Sequence, residues 1–301
     1  MKRNHKQSHP LRTAIRILLV AIVLIGLCPV VAHNPFYKQR LSRQYDHYLS
    51  VMTYNTHRMG EFKKPDSNTV LQYLETVDAD IVCLEEVDVY KDKRYLTLNE
   101  LKHAMQAWPY TYFDFKVYNS HRQFGNVVFS RYPLTDKHTI PFDSRASISS
   151  CCHVIVDGDT LCLIINHLES NRLDPSDMDS LAAKLTDQHS NLNHKLAAAA
   201  AIRHDQARAV RREVYRSEYP VIVAGDINDI PHSFTYRHLS QGLRDCFLET
   251  NFMKIGNTFP LPIFGVRIDY ILCDKRLTPL TTKVVQTKGS DHYPVLSTIA
   301  W

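Results

Sequence analysis

The sequence predicts an α/β domain with mixed β-sheets, and three observations support that fold class. Short, β-branched apolar runs alternate along the chain with longer amphipathic stretches, as strands alternate with helices. A hairpin signal is also present, since Asp157-Gly158 separates two apolar runs, so some of the strands are antiparallel. Finally, 44% of the 301 residues are hydrophobic and 22% are charged, an ordinary globular composition that excludes a disordered or collagen-like chain.

The first 32 residues are predicted to be a secretory signal or a membrane anchor. A basic leader is followed by an apolar stretch, residues 17–32, which holds 16 residues without a charge. A membrane-spanning helix needs roughly 20 apolar residues, with about 17 as the lower limit, whereas Ala32 supplies the small residue of a cleavage site. Both alternatives stay open, with a slight preference for an apolar anchor helix. Both place the rest of the chain outside the cytoplasm, on the periplasmic side in a Gram-negative cell. Residues 33–48 are predicted to be a polar, aromatic linker to a domain at residues 49–301.

The net charge of +5 lies entirely in this first segment. Residues 1–32 contain no acidic residue and five basic ones, namely Lys2, Arg3, Lys6, Arg12 and Arg16. Without those five, 31 of the 36 basic residues remain, against 31 acidic residues, so the domain has no excess positive charge. Non-specific binding to duplex nucleic acid depends on such an excess, and the composition therefore argues against it.

The strands and helices of the domain follow from local pattern. Apolar runs predict strands at residues 49–54, 80–84, 110–117, 125–130, 148–156, 160–166, 220–224, 268–273, 282–286 and 294–299. Apolar residues at helical spacing predict one helix capped by Asp66 or Ser67 and others at residues 96–108, 177–186 and 194–216. The last of these helices carries six Lys or Arg residues, which we interpret as a solvated face, with phosphate binding as the alternative.

Six cysteines follow the first segment. An even number permits disulfides outside the cytoplasm, but Cys83, Cys162 and Cys273 lie inside apolar runs, where a free thiol behaves as a small hydrophobic group. Cys151 and Cys152 are adjacent and point to opposite faces if that run is a strand. The sequence contains no Cys-x-x-Cys pair, and it therefore predicts no structural zinc site.

Polar side chains follow several of the predicted strands at the point where each strand ends. They comprise Asn55, Glu85, Glu86, Asn166, His167, Asp226 and Asn228, with Asp269 inside an apolar run and Asp291 and His292 just before the last strand. Ligands of α/β folds collect outside the strand ends, where a rigid sheet positions the loop residues. One such residue is usually a cap or a turn former, but the repetition over several strands indicates a common site.

The side chains of this set favour a hard metal ion and phosphate chemistry. Carboxylate and amide oxygens are the ligands of Mg²⁺, Mn²⁺ and Ca²⁺ rather than of zinc. The sequence lacks the HExxH zinc motif, the GxSxG nucleophile elbow, the GxxxxGK[ST] phosphate loop and the GxGxxG dinucleotide fingerprint. The remaining possibility is a mechanism in which carboxylate–histidine pairs activate a water beside a metal. Hydrolysis of a phosphate ester uses this combination of groups.

Seven segments together resemble the endonuclease/exonuclease/phosphatase superfamily, the DNase I-like proteins. They read MTYN, DIVCLEEV, GNVVFSRYPL, LIINHLES, VIVAGDIND, RIDYIL and SDHYPV, and they occur in the family's order between residues 50 and 297. With its basic and apolar first segment, the chain looks like the membrane-associated bacterial members. The resemblance implies a four-layer α/β sandwich, in which two packed mixed β-sheets are flanked by helices, with the site at one end of the sheets.

The resemblance also implies roles for particular residues. The metal ligands would be Asn55, Glu86 and Asp291, which would hold Mg²⁺, with Mn²⁺ as the alternative. The catalytic residues would be His167, Asp226, Asn228, Asp269 and His292. Asp226 and Asn228 would orient the attacking water and the phosphate, and His167 would donate to a phosphoryl oxygen. His292 would contact the phosphate or the water, oriented by Asp269.

Several positions leave alternatives open. Glu85 stands where the family more often has glutamine, and it is either a surface carboxylate or a second metal ligand. His57 and Arg58 follow Asn55 closely, and they either line the site or are ordinary surface residues. Asn126 either lies near the site or holds the backbone by hydrogen bonds.

The substrate is left open among three hypotheses. We favour a metal-dependent phosphoesterase that acts, as a monomer, on a small or lipid-linked phosphodiester or phosphomonoester. An extracytoplasmic nuclease is the second hypothesis, because HLESNR is similar to the tyrosyl-DNA phosphodiesterase branch, although the neutral domain disfavours nucleic acid. A non-catalytic binding domain is the third. The apolar residues 259–266 either line a pocket or touch lipid, or they form a packed loop, which we favour.

Overall fold

Two six-stranded β-sheets form the centre of the domain in the computed structural model. The structure describes residues 44–61, 67–119, 121–144, 146–173, 190–251, 254–261 and 265–301. The predicted signal or anchor helix at residues 1–32, residues 33–43 of the predicted linker and the predicted helix at residues 177–186 lie outside these ranges. Within them, no helix is long and apolar enough to cross a membrane.

The elements of the described ranges occur in the following order. The strands are β1 (Tyr48–Asn55), β2 (Ile81–Tyr90), β3 (Tyr110–Asn119), β4 (Arg122–Ser130), β5 (Leu134–Thr139), β6 (Ile148–Val156), β7 (Asp159–His167), β8 (Val221–Asp226), β9 (Leu243–Asp245), β10 (Phe259–Pro260), β11 (Gly265–Val266), β12 (Asp269–Asp274), β13 (Thr278–Val284) and β14 (Val295–Ala300). The helices are α1 (His57–Glu61), α2 (Thr69–Leu74), α3 (Leu98–Ala104), α4 (Asn191–Arg216), α5 (Phe234–Ser240) and α6 (Cys246–Thr250).

Both large sheets are mixed. The first has the strand order β13-β14-β1-β2-β4-β3, and the second has the order β5-β6-β7-β8-β12-β9. The pairs β1–β2 and β7–β8 are parallel, and the remaining neighbours are antiparallel. The predicted mixed α/β class is therefore confirmed.

Alternating side chains along the strands build the core in layers. In β1, Leu49 and Val51 pack between the two sheets, whereas Met52 and Tyr54 face the helices outside the first sheet. The second sheet follows the same rule, since Leu163 of β7 points between the sheets and the neighbouring residues of that strand pack toward α4. The predicted arrangement of two packed sheets flanked by helices is confirmed.

The strand register carries polar side chains of both sheets to one end. In the first sheet, Asn55 is paired with Glu85. In the second, His167 lies opposite Asp226, and Asp226 lies opposite Asp269, on the three adjacent strands β7, β8 and β12. Residues that are far apart in the chain thus become neighbours across strands.

Two local features shape this end of the sheets. Gly225 has a φ of +126°, and a Cβ there would lie 2.1 Å from the Asn166 carbonyl oxygen, so only glycine lets β8 approach β7 here. A β-bulge interrupts the pairing of β2 with β4 between Leu84 and Val87, and Glu86 adopts a φ of +51° within it. The bulge leaves Glu85 in the interior and Glu86 partly exposed at the sheet end.

Some boundaries differ from the sequence predictions. β2 continues to Tyr90, because Glu85 and Glu86 interrupt the apolar pattern and the pairing with β4 resumes at Val87 after the bulge. α2 is capped by Asn68, whose side chain accepts a hydrogen bond from the Leu71 N–H, rather than by Asp66 or Ser67. β5 lies at a sheet edge with four of its six side chains exposed, so it has no apolar pattern to reveal it.

The interpretation of the basic residues in α4 as a solvated face is wrong for two of them. Arg203 and Arg211 are 4% and 7% exposed. Arg203 Nη1 donates to the Glu169 carbonyl at 2.8 Å, and its Nε lies 3.5 Å from Asp229. This arginine therefore ties the loops after β7 and β8 to the long helix.

Candidate active site

Five side chains predicted from the sequence meet at this end of the two sheets. Asn55 Nδ2 lies 2.9 Å from Asp226 Oδ2, and Glu86 Oε1 lies 3.1 Å from His167 Nε2, so two contacts join the first sheet to the second. His292 Nε2 lies 3.8 Å from Asp226 Oδ2. Apart from Glu86, all of these residues are almost fully buried.

Three hydrogen bonds hold the Asp226 carboxylate in place. Asn55 Nδ2 donates to Oδ2, the Asn228 N–H donates to Oδ1 at 2.7 Å, and Asn228 Nδ2 donates to Oδ2 at 3.0 Å. Burial raises the pKa of Asp226 to about 6, although the neighbouring His292 lowers it. The group therefore exchanges a proton close to neutral pH, as a general base must.

Asp269 orients His292. The Nδ1 atom of His292 lies 3.1 and 3.0 Å from the two carboxylate oxygens, and Asp269 is itself held by its backbone N–H on Thr258 Oγ1. Burial lowers the pKa of His292, but the charges of Asp269 and Asp226 outweigh it and raise that pKa to about 10. His292 is therefore cationic at neutral pH, and its Nε2–H points toward Asp226.

Glu86 and His167 form a second carboxylate–imidazole pair. Burial raises the pKa of Glu86, but the His167 charge and hydrogen bonds from His167 and Asn55 outweigh it and lower that pKa to about 2. Burial lowers the pKa of His167, and Glu86 reverses this effect, so the net shift is upward. The pair places an ionised carboxylate and a hydrogen-bond donor at the mouth of the cluster, where the Glu86 side chain is 21% exposed.

Asn55 acts as a donor between the carboxylates. Its Nδ2 donates to Glu86 Oε1 at 3.2 Å as well as to Asp226, and its Oδ1 accepts from the His57 N–H at 3.0 Å. A ligand role for Asn55 needs the amide turned so that Oδ1 faces Glu86. That role stays a prediction.

Asp291 lies beside the cluster, with its side chain 41% exposed and its Oδ1 2.8 Å from His57 Nδ1. A different set of three described residues at this end is closely spaced: one ligand atom each from Asp226, Asp269 and His292 lie within 4.8 Å of one another. A cationic histidine has no lone pair for a metal, so we interpret this set as an ion-paired triad.

Glu85 is neither a surface carboxylate nor near solvent. It is fully buried, and Thr53 Oγ1 donates to its Oε1 at 2.6 Å. Burial raises the pKa of Glu85 well above its usual value and so favours the protonated, neutral form of the group. The surface interpretation of Glu85 is therefore wrong.

Supporting residues were missed because nothing local in the sequence marks them. Ser290 Oγ donates to the Asn55 carbonyl at 2.8 Å and accepts from the His292 N–H at 3.0 Å, which links the last loop to β1. His57, which the sequence left open, contacts both Asn55 and Asp291, so it lines the site. Phe259 packs edge-to-face on His292, with 5.0 Å between ring centroids.

Two other open positions are settled by their contacts. Asn126 Nδ2 donates to the Ile148 carbonyl at 3.2 Å, so this residue holds the backbone between the sheets. Arg58 Nε lies 3.3 Å from Asp88, a buried carboxylate that Arg122 also binds. Arg58 thus belongs to a charged group two residues along β2 from Glu86.

Comparison with known families agrees with this geometry. The sequence profile described as the Endonuclease/Exonuclease/phosphatase family matches residues 52–292, a span that contains every predicted site residue. No curated protein sequence matches the chain at a significant level.

Solved structures share the fold at low sequence identity. An endonuclease/exonuclease/phosphatase from Beutenbergia cavernae superposes with a TM-score of 0.64 and 20% identity, over 84% of this chain and 71% of its own. D. rerio TDP2 in complex with a single-strand DNA product superposes with a TM-score of 0.58 and 17% identity, over 85% of this chain and 100% of its own. Sphingomyelinase C from Streptomyces griseocarneus superposes with a TM-score of 0.53 and 18% identity, over 84% of this chain and 99% of its own. At such identities the likeness establishes the fold and not the substrate.

Proposed function

The chain belongs to the endonuclease/exonuclease/phosphatase family, and from this premise we propose that it is a metal-dependent phosphodiesterase that uses an activated water. One observation carries the proposal. Asp226, with a pKa of about 6, lies beside His292, with a pKa of about 10. A base that works near neutral pH next to a fixed cation is what attack of water on a phosphate requires.

Asp226 is the proposed general base. It takes a proton from the attacking water, and the oxygen forms a bond to phosphorus while the ester oxygen of the leaving group departs. Asn228 and Asn55 fix the carboxylate by hydrogen bonds, so little reorganisation accompanies the transfer.

His167 and His292 are the proposed donors to the phosphate. Negative charge grows on the phosphoryl oxygens in the transition state, and N–H groups that are already oriented stabilise it. Asp269 holds the ring of His292 through Nδ1, which leaves Nε2–H for the substrate side. Asn55, which donates to both Glu86 and Asp226, keeps the two halves of the site in register.

The donor set fits a hard divalent cation, as the family implies. Glu86 is the residue best suited to hold it, because its carboxylate stays ionised and is partly exposed. Asp291 and the oxygen of Asn55 are the other proposed ligands. A bound Mg²⁺, with Mn²⁺ as the alternative, would neutralise part of the charge on the phosphate.

We propose a small or lipid-linked phosphodiester as the substrate. The domain beyond residue 32 carries equal numbers of acidic and basic residues, so it lacks the positive field that favours long nucleic acids. A nuclease is the second candidate, favoured by the HLESNR segment and by the likeness to TDP2 bound to a DNA product. A non-catalytic domain is the third, and the intact cluster argues against it.

A substrate panel tests the proposal. Purified protein is titrated with Mg²⁺ against bis-p-nitrophenyl phosphate, single-stranded DNA and sphingomyelin vesicles. We expect Mg²⁺-stimulated hydrolysis of the small diester or the lipid, with weak salt dependence. A preference for DNA with steep salt dependence would support the nuclease, and no stimulated hydrolysis of any substrate would favour the binding domain.

Attachment to a membrane, an extracytoplasmic location and a monomeric state remain proposals drawn from the sequence. Fractionation of cells that express the full chain tests the first two. Recovery of the protein in the soluble cytoplasmic fraction would contradict them.

A further inference from the structure

A second group of metal-ligating side chains lies on the outer face of the second sheet, away from the active site. One ligand atom each from His138 of β5, Cys151 of β6 and Glu213 of α4 lie within 4.8 Å of one another. The Cys162 Sγ of β7 lies 3.6 Å from the Cys151 Sγ. Both thiols are 1% exposed, and they lie in the core layer between this sheet and α4.

The fold assembles this group from distant parts of the chain. His138 and Cys151 are direct partners in the pairing of β5 with β6. Cys162 is paired with His153, two residues beyond Cys151 on β6, so the two cysteines are diagonal neighbours on one face. Glu213 lies on α4, one turn after Val210, which is buried in the same layer.

Two separations within the group are close to those between ligands of one tetrahedral zinc ion. Two sulfurs bonded to zinc at ~2.3 Å lie about 3.8 Å apart, and a nitrogen and an oxygen ligand lie about 3.4 Å apart. The observed separations are 3.6 Å between the two Sγ atoms and 3.2 Å between His138 Nε2 and Glu213 Oε1. We propose that one Zn²⁺ binds here, with the ligands His138, Cys151, Cys162 and Glu213.

His138 is already oriented for such a role. Its Nδ1 lies 3.2 Å from the Asp136 carbonyl oxygen, which accepts a hydrogen bond from the ring and leaves the Nε2 lone pair facing the group. Metal-bound histidines usually donate their other ring N–H to a carbonyl or carboxylate in this way. The His138 side chain is 39% exposed, so the group has a path from solvent.

The type of ligand separates this site from the active site. Thiolate and imidazole ligands select zinc, whereas the oxygen set at the sheet ends selects Mg²⁺ or Mn²⁺. Cys162 lies five residues before His167 on β7, which places the two sites about 17 Å apart along the strand. The zinc site is therefore independent of the proposed phosphodiesterase activity.

Zinc at this position would join the edge strand β5 to its neighbours and to α4. The same helix holds the loop after β7 through Arg203, so the ion would stabilise the support of that loop. The absence of a Cys-x-x-Cys motif, which led the sequence to predict no zinc site, does not bear on a site assembled by strand pairing. On binding, each thiol releases its proton to solvent.

Metal content of purified protein tests the proposal. Tag-free protein, reduced and equilibrated with Zn²⁺, is passed through a desalting column and measured by plasma mass spectrometry. We expect about one tightly held zinc per chain, lost in Cys151→Ser and in His138→Ala. Cys152→Ser is the matched control, because Cys152 is equally buried on the opposite face and should keep its zinc. Equal zinc in wild type and in both ligand variants would overturn the proposal.

Cobalt spectroscopy separates this site from any zinc bound at the active site. Co²⁺ bound to thiolate gives a near-ultraviolet sulfur-to-metal charge-transfer band, and the active-site cluster contains no cysteine. We expect the band in wild type and in Asp226→Asn, about half of it in Cys162→Ser, and none in Cys151→Ser with Cys162→Ser. A reduced wild-type protein without the band would contradict the proposal, as would a Cys151–Cys162 disulfide that forms in the presence of Zn²⁺.

Discussion

Asn55 Nδ2, at the end of β1, donates a 2.9 Å hydrogen bond to Asp226 Oδ2, at the end of β8, and the two residues are 171 positions apart. They belong to different sheets, so the contact exists only when the sheets are packed face to face. The same amide group donates to Glu86. The geometry of the site is thus tied to the packing of the core.

Activity should have an acid limb governed by Asp226 and an alkaline limb governed by His292. The base must be deprotonated, so activity should fall as the pH drops through about 6, or lower still when a bound cation depresses the pKa of Asp226. The cation on His292 is lost as the pH rises through about 10. Initial rates at saturating Mg²⁺ measure both limbs. They are taken from roughly pH 4.5 to 10.5, a range that includes both pKa values.

The variant Asp269→Asn should move the alkaline limb to lower pH. Burial lowers the pKa of His292, and the Asp269 charge is the largest of those that raise it. Asp274→Asn, at the other end of β12, is the control and should leave the profile unchanged. An alkaline limb that stays in place in Asp269→Asn would contradict the assigned pairing.

The variant Glu86→Gln should raise the Mg²⁺ concentration for half-maximal activity by on the order of 10-fold or more, because the ionised ligand is lost. It should also lower the pKa of His167, since Glu86 is the main group that raises it. Metal titrations and histidine NMR titrations measure the two effects. The exposed Glu218→Gln serves as a control, and an unchanged Mg²⁺ requirement in Glu86→Gln would exclude this residue as the main ligand.

The variant Gly225→Ala should destabilise the domain by about 3 kcal/mol or more, because a Cβ both clashes with Asn166 and strains a left-handed backbone. Gly158→Ala separates the two effects. Gly158 also has a positive φ, of +97°, but a Cβ there meets nothing within 4 Å, so we expect a loss of about 1 kcal/mol. Urea unfolding compares the variants, and equal losses would contradict the close approach of β8 to β7.

The variant Glu85→Gln should gain stability relative to wild type as the pH rises. Burial raises the folded-state pKa of Glu85, so above its unfolded pKa the unfolded chain releases a proton that the folded chain retains. Wild-type stability therefore decreases with pH through this group, and glutamine removes the decrease. Melting temperatures of both proteins between about pH 5 and 8 check this, where a constant difference would mean that Glu85 is not buried as a neutral acid.

The convergence of the candidate site residues can be predicted from the sequence because their positions follow the sheet. Asn55, His167 and Asp226 each end a β-branched apolar run, and the ends of parallel strands collect at one edge. The pairing of His167 with Asp226 and Asp269 on adjacent strands is a consequence of strand register.

Features that depend on bulges or on contacts between distant segments have no such signal. Glu85 reads as an extra acid beside Glu86, and only the bulge in β2 determines which of the two is buried. His138 and Glu213 are 75 residues apart with no motif between them, so their contact emerges only from the packing of α4 on the second sheet.

The central claim is that Asp226 is the base of a metal-dependent phosphodiesterase. The most direct test compares Mg²⁺-dependent hydrolysis of bis-p-nitrophenyl phosphate by wild type and Asp226→Asn. The pH is chosen between the acid limb and the alkaline limb, where Asp226 is deprotonated in wild type. The account predicts a turnover at least about 10²-fold lower in the variant, with an unchanged circular dichroism spectrum. Turnover near that of wild type would contradict it.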